Sequence, residues 1–195
     1  GKKEDEEMSY DISLVDPVTR ETLHSDSTHM MTGGTYAVGG TTEMWLNITY
    51  NYAHYYYEAT DGDPRFAQEV YANGTKGTKE VWYGIRGIYG KTGAESISIL
   101  KDMIERIKAR YRKDGEWIVT KRTKTKYFDE NGVEQEDPYR LIISGKPYTK
   151  QEYEVEVSEG PDIDYWEATA GNAISPLYKL IAMAQLRPDG VWDGD

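Results

Sequence analysis

The chain has 195 residues, with 23 Lys+Arg against 34 Asp+Glu, a formal net charge of -11 and no cysteine. Disulfides and thiolate metal centres are thereby excluded, and the acidic average field argues against direct binding to nucleic-acid phosphates. No apolar run approaches the roughly 20 residues of a membrane-spanning helix, so the chain reads as a soluble, single α+β domain with a core rich in tyrosine and tryptophan, which number 17 and 5 against 2 phenylalanines.

The first eight residues, GKKEDEEM, are a charged lead-in expected to be disordered, ahead of a domain at 9–195. No apolar segment follows the lysines, so no signal peptide is read there, although Gly1 leaves room for a segment removed before it. Ser9 to Val15 alternates and predicts a strand. Asp16-Pro17 with Thr19-Arg20 predicts a turn, and Glu21 to Ser25 the returning strand of an N-terminal hairpin. Thr32 to Glu43 holds four glycines and reads as a loop. Met44, Trp45, Ile48, Tyr52, Tyr55, Tyr56 and Ala59 recur at helical spacing and predict a helix from Thr41 to Thr60, stopped by Asp61-Gly-Asp-Pro64. Arg65 to Lys79 is polar and reads as a short helical piece and a loop, and Val81 to Tyr89 as a short helix weakened by Gly84 and Gly87. Thr92 to Arg112 is the clearest helix. Thr92 and Glu95 form a capping-box pattern, Ile97, Leu100, Met103, Ile104, Ile107 and Tyr111 carry an apolar stripe, and Asp114-Gly115 ends it.

From Glu116 to Ser158 the texture changes to alternating Thr, Val, Ile and Tyr. Strands are predicted near Trp117–Phe128, Tyr139–Ser144 and Glu152–Val157, with Glu130-Asn131-Gly132 as a hairpin turn. Asp164 to Ala173 then leads into a helix ending at Leu186. Pro176 leaves two starts open: Ser175 as N-cap with the proline at N1, or a start near Thr169 with a bend at the proline. Arg187 to Asp195 reads as a turn-rich closing segment. The expected fold class is α+β: three main helices forming the core, an N-terminal hairpin, and an inserted antiparallel β meander over 116–158. No repeat period is present, which excludes a solenoid.

Charge is unevenly placed. Lys101 to Tyr127 carries 10 Lys+Arg against 4 Asp+Glu, whereas Phe128 to Thr169 carries 3 against 12. The neighbouring blocks either complement each other within the fold, which is the favoured reading, or present a patch to a partner.

Three stretches place small or hydroxyl residues at a predicted helix start: Gly39-Gly40-Thr41-Thr42-Glu43, Gly90-Lys91-Thr92-Gly93-Ala94-Glu95-Ser96, and Glu167-Ala168-Thr169-Ala170-Gly171-Asn172. Helix N-termini present unbonded N–H groups and a partial positive charge, which suit phosphate or carboxylate. The expected ligand-binding set is therefore Gly39, Gly40, Thr41, Thr42, Lys91, Thr92, Gly93, Thr169, Gly171 and Asn172. Lys91 and Arg86 would add charge, and Tyr36, Tyr83 or Tyr89 would stack on a base or sugar. The plainer reading is that Gly and Thr are ordinary capping residues, and only convergence in a pocket makes a site.

Other motifs fail on inspection. Gly90-Lys91-Thr92 is not a P-loop, because the first glycine of G-x-x-x-x-G-K-[ST] would stand at Ile85. His24 and His29 flank Asp26 but lack a third ligand and read as exposed loop residues, so no metal site is assigned. Asn47, Asn51 and His54 would form one polar stripe on the first helix, normally its solvated face. Asp189, Asp193 and Asp195 read as solvated charge, and the sequons at Asn47 and Asn73 as chance. Nothing marks an activated serine, and no cofactor or catalytic residue is assigned.

The stretches TGGTYAVGGTTEMWLNITYNY, GIRGIYGKTGAES and DYWEATAGNA with LRPDGVWDGD resemble small uncharacterised proteins of bacteriophages and prophage-bearing gut bacteria. The resemblance covers about half of the chain and skips the β section. That group has no known activity, so the resemblance implies a mobile-element accessory role and transfers no chemistry.

The leading expectation is a non-enzymatic cytoplasmic protein that binds a small anionic or nucleotide-like ligand at clustered helix N-termini. The alternative is an acidic protein-interaction or inhibitor module of the nucleic-acid-mimic type, engaging a basic protein partner. An enzyme using the Asn47/Asn51/His54 stripe is the third reading. Neither direct nucleic-acid binding nor membrane association is expected.

Overall fold

The computed structural model describes residues 9–29, 40–72, 75–81 and 84–195. The lead-in, Tyr36, Gly39, Asn73 and Tyr83 lie outside the described residues. In chain order the elements are β1 (Ser9–Val15), β2 (His24–His29), β3 (Thr41–Glu43), β4 (Trp45–Thr49), a 3-10 turn at Tyr50–Tyr52 and α1 (Ala53–Thr60). A second 3-10 turn at Pro64–Phe66, β5 (Ala67–Ala72), β6 (Thr75–Val81), a third 3-10 turn at Ile85–Ile88, α2 (Gly93–Tyr111), β7 (Arg112–Lys113) and β8 (Glu116–Trp117) follow. The chain continues with β9 (Val119–Phe128), β10 (Glu134–Gln135), α3 (Pro138–Ile143), β11 (Thr149–Ser158), α4 (Ala170–Leu186) and β12 (Val191–Gly194). Among the described residues this is a mixed α+β protein with four α-helices and several small antiparallel sheets. Two compact units are distinguished: Gly1–Glu116 with Gly160–Asp195, and Trp117–Glu159.

In the larger unit β1 is the central strand of a three-stranded sheet, flanked by β12 and β4. Its alternation buries Tyr10, Ile12 and Leu14, as a half-buried strand requires. Leu46 and Ile48 of β4 are wholly buried beside them, with Ile12 opposite Leu46. The expected helix from Thr41 is therefore corrected. Leu46 and Ile48 follow the two-residue period, Thr41, Thr42, Ile48 and Thr49 are β-branched, and pairing with β1 satisfies the backbone. Only Ala53–Thr60 is α-helical.

The stripe of α2 forms with Leu100, Met103, Ile104 and Ile107 buried, while Ile97 is only half-buried and Ile99 is buried in its place. It packs on α4, whose Ala173, Leu177, Leu180 and Ala184 are buried. The two run antiparallel, since Gly93 at the start of α2 lies against Ala184 and Arg187 at the end of α4. Burial of each leucine in this interface contributes about 1.5–3 kcal/mol. The ring of Tyr55 on α1 meets that of Tyr111 on α2 edge-on at 5.0 Å. Of the two starts open for the last helix, the structure takes Thr169 as N-cap, with Pro176 inside the helix.

Four further expectations are corrected. The strand after the first turn is His24–His29 and pairs with β3; the expected return against β1 is short, with the bridge Val15 to Thr22 and the Leu23 N–H donating to the Leu14 carbonyl at 2.9 Å. Residues expected as a helical piece and loop form the β5–β6 hairpin. Of the helix expected from Val81 to Tyr89, Val81 belongs to β6 and Ile85–Ile88 form a single 3-10 turn, residues 82 and 83 lying outside the described residues. The closing segment contains a strand, β12, because the open edge of β1 offers unpaired backbone groups from Ile12 to Val15.

In the smaller unit β9 and β11 pair antiparallel over ten residues, from Phe128 opposite Thr149 to Val119 opposite Ser158. The turn at Glu130-Asn131-Gly132 is set by Asp129, whose Oδ1 accepts the N–H groups of Asn131 and Val133, and by Gly132 at φ 77°. Tyr139–Ser144, expected as a strand, is mostly α3: Asp137 accepts from the N–H of Tyr139 and Arg140, and Pro138 occupies the first helical turn. The register brings the oppositely charged blocks side by side, Lys121 opposite Glu156, and Arg122 meets the buried Glu159 carboxylate at 2.8 Å. Such cross-strand pairs stabilise a sheet locally.

Candidate functional site

Two of the three anticipated helix starts exist, and both are occupied by the chain itself. At α2 the N–H of Glu95 donates to Thr92 Oγ1 and that of Thr92 to Glu95 Oε1, each at 3.1 Å. The next two donors are taken by the closing segment: Gly93 N–H by the Gly190 carbonyl at 2.8 Å and Ala94 N–H by the Pro188 carbonyl at 3.1 Å. The donors a phosphate would use are thus already bonded. At α4 Thr169 is fully buried and accepts from Asn172 N–H at 3.1 Å. A Cβ on Gly171 would lie 2.2 Å from Pro161 N, so no room for a ligand exists there.

Thr41 and Thr42 start no helix. Thr42 Oγ1 bonds His24 Nδ1 at 2.8 Å, and Gly40 sits against Thr28. The two real starts also lie apart. Gly93 abuts Ala184, and Thr169 precedes Ala184 by fifteen residues of one helix, which is about 22 Å at 1.5 Å per residue. Lys91, Thr92 and Gly93 at one start therefore do not converge with Thr169, Gly171 and Asn172 at the other; Gly40, Thr41 and Thr42 lie at β3 instead of at a helix start, and Gly39, Tyr36 and Tyr83 lie outside the described residues. The Arg86 guanidinium stands over the rings of Tyr10 and Tyr50, at 4.8 and 5.5 Å. It donates to the Asp195 carbonyl at 2.8 Å and to Tyr50 Oη at 3.0 Å.

The Asn47/Asn51/His54 stripe is corrected as well. Asn47 is on β4, buried, and donates to Ser9 Oγ and Asp11 Oδ1, each at 2.8 Å, which also closes its sequon to modification. Asn51 lies on the 3-10 turn and donates to the Trp166 carbonyl at 2.7 Å. His54 is exposed, its ring 3.8 Å from that of Tyr55. His24 and His29 are on strand β2 rather than in a loop. No group of three metal-ligating side chains occurs among the described residues, where no helix is long and apolar enough to cross a membrane. Asp189 pairs with Arg187 at 3.0 Å, and Asp195 Oδ1 accepts from Asp11 N–H at 2.9 Å.

A cavity of about 380 Å³ opens between β2 and the last turns of α4, within the range of small-molecule sites. From α4 it is lined by Lys179, Ala182, Met183 and Leu186, the i, i+3, i+4, i+7 positions of one face. Met44 forms its buried floor, and Ser25, Ser27 and His29 of β2 its polar wall. That wall is held in place: Ser25 Oγ donates to the Ser27 carbonyl at 2.6 Å, and His29 Nε2 bonds the Glu43 carbonyl at 2.5 Å. Lys179 is exposed at the rim, yet the apolar surroundings of its ammonium lower its pKa from the ordinary lysine value. The sequence signalled none of this. The β2 run His-Ser-Asp-Ser-Thr-His reads as loop, and nothing in the sequence marks Lys179, Ala182, Met183 and Leu186 as a face left partly open. Comparison with protein-family models, with characterised proteins and with solved structures finds no match to the chain.

Proposed function

We propose that the chain is a non-enzymatic binding protein for a small amphipathic anion, held in the cavity between β2 and α4. The observation that carries this reading is the cavity itself, with the buried Met44 and Met183 and the exposed Leu186 as its apolar lining and the Lys179 ammonium at its rim. An apolar body would be driven in by burial, and a single carboxylate would meet the positive charge of Lys179 at the mouth. The Ser25 and His29 side chains of the polar wall are engaged with main-chain carbonyls, which favours holding a molecule over turning it over. The resemblance to phage and prophage proteins gives such a binder a mobile-element accessory role.

Thermal denaturation with decanoate, decanol and a nucleotide panel tests this. Decanoate at a hundredfold excess over its Kd adds about 2.7 kcal/mol, which raises Tm by roughly 5–10 °C for a chain of this size. Lys179→Met reduces the shift with decanoate and spares that with decanol, Ala182→Trp removes both, and nucleotides give none. The reading fails if neither amphiphile shifts Tm or if Ala182→Trp leaves the shift intact.

A further inference from the structure

We infer that the segment Gly160–Thr169 is a docking surface for a basic protein partner, because it displays Ile163, Tyr165 and Trp166 to solvent on a main chain that the fold holds rigid. The argument is independent of the cavity. Five consecutive carbonyls, Asp164 to Ala168, each accept a side-chain hydrogen bond. Asn172 Nδ2 donates to those of Asp164 and Glu167, both at 3.1 Å. Tyr52 Oη donates to that of Tyr165, Asn51 Nδ2 to that of Trp166 at 2.7 Å, and Tyr55 Oη to that of Ala168 at 2.8 Å. The entry is fixed too: Asp162 N–H donates to Asn172 Oδ1, and Asp164 N–H to Asp162 Oδ1, each at 2.8 Å.

Surface loops ordinarily bond their backbone to water. Here Tyr52 and Tyr55, almost wholly buried, direct their hydroxyls at the loop. Yet the apolar side chains of that same loop point away from the fold: Ile163 is 98% exposed, Trp166 51% and Tyr165 39%. Tyr165 and Trp166 brace each other edge-on at 5.2 Å. Rigid aromatic and aliphatic anchors with little ordering entropy left to lose are what binding hot spots are made of.

Charge selects the occupant. Asp162, Asp164 and Glu167 alternate with the anchors along the segment, and no Lys or Arg occurs from Gly160 to Tyr178. Such a rim repels nucleic-acid phosphates and an anionic leaflet, and it repels the same loop on a second copy. It attracts a protein surface in which an apolar cleft is flanked by Lys or Arg.

The test selects a displayed library of random peptides on the full chain at low salt, then measures Kd for the synthesised winners. Winners that combine Lys or Arg with aliphatic or aromatic residues are expected. Trp166→Ala weakens them about thirtyfold or more, and Ile163→Ser about tenfold; both residues are exposed, so the fold persists. Tyr52→Phe, which leaves every anchor in place and frees the Tyr165 carbonyl, weakens binding about threefold. The triple variant D162N/D164N/E167Q flattens the salt dependence, and Ala182→Trp in the cavity changes nothing. The inference is overturned if no peptide is recovered, if winners are neutral or acidic, or if Trp166→Ala leaves Kd unchanged. Trp166-dependent attachment to phosphatidylglycerol vesicles, or Trp166-dependent dimerisation of the chain alone, also overturns it.

Discussion

Asn172→Ala should be among the most costly single substitutions at a polar residue of this protein. The side chain is 8% exposed and makes three hydrogen bonds, accepting from Asp162 N–H and donating to the Asp164 and Glu167 carbonyls. Each is worth about 0.5–1.5 kcal/mol net. Alanine returns roughly 0.6 kcal/mol in helix propensity at the first turn of α4. The expected loss is thus about 1–4 kcal/mol, which for this chain length lowers Tm by roughly 5–10 °C at the middle of that range. Urea unfolding followed by far-UV circular dichroism reads the larger unit, where α1, α2 and α4 reside. Native-state hydrogen exchange at the Asp162 amide reads the loop. Asn172→Asp keeps the acceptor and should retain protection at Asp162, whereas Asn172→Ala should abolish it. An alanine variant within about 0.5 kcal/mol of the parent, with Asp162 still protected, would refute the claim that this residue knits the loop to the helix.

Two further predictions concern the core. The Asp63 carboxylate, 3% exposed, is held far below the usual carboxylate range, first by its hydrogen bonds from Arg65 and then, against the opposing effect of burial, by that from Arg106. Because its folded pKa is depressed, its contribution is present above about pH 4 and is lost as pH falls below that. Asp63→Asn should cost about 2–4 kcal/mol at pH 7, and the gap from the parent should narrow at pH 3; a pH-independent gap in urea midpoints would contradict the assignment. A Cβ on Gly87 would lie 1.6 Å from the Phe66 ring, so Gly87→Ala should destabilise by about 1–3 kcal/mol through overpacking, and the double variant with Phe66→Leu should recover part of it.

Where local chemistry decided the conformation, the residues announced it. Thr92 and Glu95 close the capping box of α2 within four positions, and Asp129 with Gly132 closes the turn of the β section, because cap and turn bonds join near neighbours. Asp137-Pro138 carried the same kind of signal for α3 and was outweighed by the β texture around it. Elsewhere the deciding partner was remote. Met44, Trp45, Ile48 and Tyr52 fit a helical period, but Leu46 and Ile48 equally fit a strand, and pairing with β1 made the choice. The tail strand Val191–Gly194 exists because the opposite edge of β1 was open.

The candidate sites divide along the same line. That Thr92 begins a helix was written in the sequence, and Thr169 was one of two starts that Pro176 left open; that Gly190 and Pro188 fill the one start while Pro161 crowds the other was not. Nor was the cavity, or the five carbonyls held by Asn51, Tyr52, Tyr55 and Asn172. Sequence alone determined the capped helix, the turns and the alternation of buried and exposed residues, since these follow from bonds and sterics within a few residues. Tertiary structure decided which backbone donors stay open and which apolar side chains remain exposed, since both depend on groups about a hundred positions away that only the folded chain brings into contact.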